Sequence, residues 1–309
     1  MQDYQHLFVV VDPELESQIA LARAVELATK TGAKITAFLC IYDLSYELTT
    51  MLSLDERDAM RRAVLADREE WLQSLISEYV PSGVTAHASV VWDKSLYESV
   101  IRTAIEVKAD LVLKAASSHD DFAALIFTPT DWHILRKCPT PVLMVKQHAW
   151  PVNGNVLASI NVGTEDEVHA KLNQQVVECA KACTNTLDAT LHLVNAFPGT
   201  IVNLAIEMPE FDPHGYNENV KRHHQNEMHK FASTNDIPIA QCHVIQGLPE
   251  VAVPKQAASL DAELVVIGTV GRAGLSAALI GNTAEQVIDR LNCDVLAIKP
   301  LGFNSPVHG

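Results

Sequence analysis

Gly268, Gly271 and Gly281 punctuate the stretch IGTVGRAGLSAALIGNTAEQV (Ile267–Val287) between a strand-like run, Glu263–Ile267, and a helix-like one. Glycine in such a place costs backbone entropy, so it is kept where the chain needs positive φ or where another group must approach the main chain. Amides at Gly268 and Gly271 can face an anion, and Gly281-Asn282-Thr283 opens a helix whose unpaired N–H groups and dipole favour negative charge. Asn282 with Glu285 three residues later reads as a capping box. Arg272 is the only basic residue of the loop, placed equally well to meet phosphate or solvent. A phosphate-bearing ligand is the chemistry this spacing suits.

A second constellation is KRHHQNEMHK (Lys221–Lys230), where His223 and Glu227 stand four apart on a predicted helix, with His214, His224 and His229 nearby. Imidazole and carboxylate on one face can hold zinc; an exposed polar helix face accounts for the same pattern. Cys179 and Cys183 are also four apart on a predicted helix, where shared burial explains them. The signatures GxSxG, HExxH and GxxxxGK[ST] are absent. The HxGH of nucleotidyl transferases and the SGGxDS of ATP pyrophosphatases are missing too. No catalytic residue is assigned.

The elements that must position these residues recur. ADLVLKA (Ala109–Ala115) and AELVVIG (Ala262–Gly268) are followed at similar distance by PVLMVK (Pro141–Lys146) and DVLAIK (Asp294–Lys299). The openings HLFVVVDP (His6–Pro13) and NVLASINV (Asn155–Val162) match as well. The offset is nearly constant with one residue slipped, which sets Lys114 against Gly268, Ser117 against Gly271, Phe127 against Gly281 and Thr128 against Asn282. QHAWPVNGN (Gln147–Asn155) is a linker, so domains are expected over 1–147 and 152–309.

β-type runs alternate with helical ones in both halves. Strands are predicted near Leu7–Val11, Lys34–Cys40, Val84–Val91, Asp110–Lys114 and Pro141–Lys146, then near Asn155–Asn161, Asp188–Val194, Pro238–Ile245, Glu263–Ile267 and Asp294–Ile298. First-half helices are predicted over Pro13–Lys30, Leu54–Glu78, Ser95–Val107 and Thr130–Lys137. Apolar strands alternating with helices give an α/β fold: two tandem doubly wound domains, each an open parallel five-stranded sheet with right-handed crossovers. After the second strand each half carries an insertion whose apolar residues (Met51, Leu52; Ile201, Leu204, Ile206, Met208) form a lid or patch the local core.

Composition narrows the classes. A chain of 309 residues with 48% apolar and 20% charged content suits two soluble domains. No apolar run has the length of a membrane span and the amino terminus does not read as a signal peptide, so the expected location is the cytoplasm. Six cysteines without a CxxC pair read as reduced thiols. The net charge of −15 repels phosphate backbones and argues against nucleic acid.

The pattern Gly268-x2-Gly271-x9-Gly281 followed by a small polar residue resembles the ATP-binding motif of the universal stress protein family, and QGLPEVAVPKQA (Gln246–Ala257) is similar to that family too. With YDLSYELTTMLS, FTPTDWHILRKCP and GNTAEQVID, the tandem layout looks like the family's E-type branch of gamma-proteobacteria. The resemblance implies a Rossmann-like fold of the adenine nucleotide alpha hydrolase type, with pseudo-two-fold halves pairing through their fifth strands as an intramolecular pseudo-dimer; a further homodimer stays open. It implies ATP or another adenine nucleotide, with Mg²⁺ where phosphoryl chemistry follows, in the second half: phosphates on Gly268, Gly271, Gly281, Asn282 and Thr283, adenosine near Ile160, Asn161 and Leu193. The family's first-strand Asp is Asn161 here, and the Ser or Thr after the last glycine is Asn282. The first half has side chains in place of the glycines and an acidic pair, Asp120-Asp121, so it reads as structural, with Asp12 a strand-end cap. The expected protein is a stress-response and signalling one with unidentified protein partners. The alternatives are a slow ATPase helped by Arg272 and Thr283, or a carrier of an apolar ligand.

Overall fold

The alternating pattern produces alternating elements. In the computed structural model, which describes residues 4–45, 53–116, 127–147, 149–199, 212–269 and 281–307, contacts divide the chain into two units, built chiefly on Asp3–Gln147 and His148–Asn304.

The first unit runs β1 (His6–Val10), α1 (Ile19–Thr31), β2 (Lys34–Ile41), α2 (Leu54–Tyr79), β3 (Ala86–Trp92), α3 (Leu96–Glu106), β4 (Leu111–Ala115), α4 (Pro129–Lys137) and β5 (Val142–Val145). Its strands are all parallel in the order β3-β2-β1-β4-β5. The second unit repeats this with β6 (Asn155–Ser159), α5 (Glu167–Leu187), β7 (Thr190–Phe197), α6 (Pro213–Thr234), β8 (Cys242–Gln246), α7 (Pro249–Ser259), β9 (Ala262–Gly268), α8 (Asn282–Asp289) and β10 (Asp294–Ile298). The order there is β10-β9-β6-β7-β8, again parallel. Helices cover both faces, so central strands such as β1 and β4 are buried throughout. Each order reverses beside its first strand, and ligands of such sheets bind at that switch point, beyond the carboxyl ends.

Three boundaries differ from the sequence pattern by three residues or more. α1 starts at Ile19 rather than Pro13, because the Gln18 amide donates to the carbonyls of Asp12 (2.6 Å) and Leu15 (3.0 Å) and holds a turn there. β8 starts at Cys242, since Ile239–Gln241 form a 3-10 turn. β7 continues past Val194 to Phe197, paired with β8 as far as Gln246.

Sheet register also corrects the alignment of the halves. Val10 pairs with Lys114 and Ser159 with Ile267; Ala115 pairs with Val145 and Gly268 with Ile298. Lys114 therefore matches Ile267, and Ala115 holds the place of Gly268. Thr128 and Gly281 are both N-caps, so Thr128 matches Gly281 and not Asn282. The slip disappears because hydrogen-bonded strands fix the register, which the loops alone do not.

Met51, Leu52, Ile201, Leu204, Ile206, Met208, Ser117, Asp120 and Asp121 lie outside the described residues. Among the described residues no helix is long and apolar enough to cross a membrane. None of the six cysteines forms a disulfide.

Candidate functional site

The carboxyl ends of β6 and β9 open onto a cavity of about 900 Å³, within the usual range for small-molecule sites. Ile160, Asn161, Gly268, Gly281, Asn282 and Thr283 all line it, so six predicted site residues meet at one place. Gly271 and Arg272 lie outside the described residues. Leu193 is fully buried and does not line the cavity. β7 runs four residues beyond it, so Ala196 and Pro198 stand at the strand's mouth instead.

The end expected to take phosphate is the N-terminus of α8. The capping box expected from Asn282 and Glu285 does not form. The N-cap is Gly281, one residue earlier, and no side chain closes this helix end. Asn282 and Thr283 sit exposed in its first turn. The first turn carries one acid, Glu285, and the N-cap itself contributes no side chain over the leading amides, which leaves them suited to an anion. Gly268 has a packing reason as well: a Cβ there would stand 2.6 Å from Leu172 Cδ2 of α5.

The opposite wall is built from groups that sequence reasoning missed. Buried Asn173 clamps the backbone of Asn161, accepting its N–H (3.0 Å) and donating to its carbonyl (2.8 Å). Asn195, fully buried in β7, accepts the Val162 N–H at 3.1 Å and contacts His224 Nδ1 at 3.1 Å through its Nδ2. The His224 ring stacks on Phe197 (4.9 Å, 16°). Desolvation, helped by neighbouring His223, holds its pKa below the usual imidazole value. Asparagine is scarce inside strands and unfavourable on a helix's apolar face. Asn173 and Asn195 were therefore findable as polar exceptions in apolar runs.

His223 and Glu227 do sit on one helix, α6, but Glu227 is bound by Lys230 at 2.6 Å and its carboxyl lies below its usual range chiefly for that reason. Among the described residues no group of three or more His, Cys, Asp or Glu side chains is arranged to hold a metal ion.

The first unit keeps a cavity of about 860 Å³ at the matching place, lined by Asp12, Trp92, Lys114 and Thr128 among others. Its walls differ. Asp131, fully buried in the first turn of α4, accepts from Thr128 N–H and hydroxyl (both 2.8 Å), while the hydroxyl accepts the Asp131 N–H (3.2 Å). Lys114 Nζ lies 2.7 Å from Asp131 Oδ1, an electrostatic contact rather than an aligned hydrogen bond. Asp12 Oδ1 accepts the Glu14 N–H (3.0 Å), a local turn cap.

Comparison with known proteins bears on what this arrangement is. A family model described as "Universal stress protein family" matches residues 3–146 and again 160–299. "Universal stress protein E" of Escherichia coli (strain K12) is 47% identical over 309 residues, covering 100% of this chain and 98% of that protein. Among solved structures, a functionally unknown protein from Pseudomonas aeruginosa PAO1 has a TM-score of 0.72 at 29% identity, over 97% of this chain and 94% of that one. A universal stress protein from Archaeoglobus fulgidus has a TM-score of 0.63 at 16% identity over 96% of both chains, which shows the fold alone.

Proposed function

The chain belongs to the universal stress protein family, and from that premise we propose that its second unit binds ATP or a related adenine nucleotide in the cavity between α8 and the ends of β6 and β7. The observation that carries this reading is the uncapped N-terminus of α8, facing that cavity with Gly281, Asn282 and Thr283 on its wall. The phosphates rest on the first-turn amides, with the Thr283 hydroxyl beside them. Ile160 and the clamped Asn161 backbone, with Ala196 and Pro198, form the apolar and main-chain surface for the nucleoside. Any Mg²⁺ enters as the counter-ion of the phosphates. Binding shifts the protein between states by the difference in nucleotide affinity of those states, which is how such a module signals in a stress response.

Calorimetry with ATP on the wild type and on Gly281→Val tests the reading. Valine is a poor N-cap, and its branched side chain covers the amides. The wild type binds with measurable heat, and the variant loses most of it. Equal heats in the two proteins remove the α8 terminus from the account.

A further inference from the structure

His224 belongs to no motif, yet its surroundings fix its chemistry. A backbone N–H can only donate, so the Val162 N–H on Asn195 settles which end of that amide is oxygen. Asn195 Nδ2 then donates to His224 Nδ1, and a ring nitrogen that accepts carries no proton. The neutral ring therefore holds its proton on Nε2. Burial and the edge-on ring of His223, 5.6 Å away, keep it neutral near pH 7. The ring is also pinned in place. Phe197 stacks on it, and a Cβ on Gly163 would come within 2.2 Å of its Cε1. Nε2–H has no acceptor among the described residues, and His224 lines the cavity. β9 and β7 flank β6 on opposite sides. The α8 terminus follows β9, and His224 packs at the end of β7, so the two lie at opposite ends of the cleft.

Resting on the nucleotide reading above, we propose that His224 is the specificity-determining residue for the nucleoside end of the ligand: its single, orientationally fixed Nε2–H donates to an acceptor atom of the base or ribose. The α8 terminus holds polyphosphate of any kind, whereas His224 distinguishes a nucleoside polyphosphate from a bare one. Asn195 acts through His224 as a positioning residue, setting the tautomer.

Calorimetry with two probes, ATP and inorganic tripolyphosphate, on the wild type, His224→Phe and His224→Gln makes the test. Phenylalanine keeps the stacking and lacks the donor; glutamine keeps a donor. His224→Phe is expected to weaken ATP about five- to tenfold, the scale of one neutral hydrogen bond, with tripolyphosphate unchanged and His224→Gln close to wild type. Long-range ¹H–¹⁵N spectra of the wild type give a readout independent of variant folding. They should show the Nε2–H tautomer, with that nitrogen shifting on ATP but not on tripolyphosphate. ATP binding unchanged in His224→Phe, or an Nδ1–H tautomer, overturns the assignment and leaves the nucleotide reading intact. A wild type that binds tripolyphosphate but gains nothing from the nucleoside also overturns it. No ATP binding by the wild type overturns both.

Discussion

Helices α4 and α8 follow the fourth strands of their units and meet their own N-terminal dipoles in opposite ways. α4 carries a resident anion: the Asp131 carboxylate caps the helix together with Thr128 and is neutralised by Lys114. α8 has no such capping pair among the described residues: Ala284 stands where Asp131 would be, Ile267 where Lys114 would be, and Gly281 where the capping Thr128 would be, and its first-turn acid is Glu285, one residue further on. The two units keep cavities of nearly equal size, about 860 and 900 Å³. Room does not separate them. What separates them is whether the electrostatic position for an anion is already filled.

The difference can be broken from either side. Asp131→Ala leaves Lys114 charged, buried and unpaired, and should cost about 3–5 kcal/mol in the first unit's urea unfolding transition. Adding Lys114→Ile removes the stranded charge and should restore most of that loss; a single variant as stable as wild type would mean the pair holds nothing. The reverse graft, Ile267→Lys with Ala284→Asp, supplies α8 with its own anion. It should weaken ATP binding roughly a hundredfold, the scale of a charged hydrogen-bonding partner displaced, and calorimetry showing unaltered affinity would separate binding from the helix end.

A smaller effect sharpens the contrast through pH. Burial, the leading cause in each case, holds His6 and His133 of the first unit and His192, His224 and His243 of the second below the ordinary imidazole value of 6.5. The unfolded chain then takes up protons first as pH falls. The stability these groups contribute is present above about 6.5 and is lost as pH drops through their folded values. Thermal midpoints should fall between pH 7 and pH 5, more for the transition assigned to the second unit. Midpoints that rise over that interval would reverse the sign assigned to these histidines.

Much of this was legible in the sequence. Period and alternation place every strand, and six of the predicted site residues converge on one cavity. What stayed hidden was register and pairing across space. The glycine count suggested that side chains displace phosphate from the first half, with Lys114 in the place of Gly268. Strand pairing shows Ala115 there, and gives Lys114 a different part, the cation of a buried pair with a residue many positions away. Leu193 was misplaced because the end of β7 depends on its pairing with β8, not on local hydropathy. His224 sat in view among histidines that suggested a metal, yet only Asn195, Val162 and Phe197 together give it a fixed proton and a place in the cleft.

The most direct measurement is an ATP titration followed by backbone amide NMR on the whole chain, with stoichiometry read from the same samples. One nucleotide per chain should bind, shifting the amides of Asn282 and Thr283 while those of Thr128 and Asp131 stay still. Two nucleotides per chain, or shifts at Thr128 and Asp131 with Asn282 and Thr283 unmoved, would contradict the account.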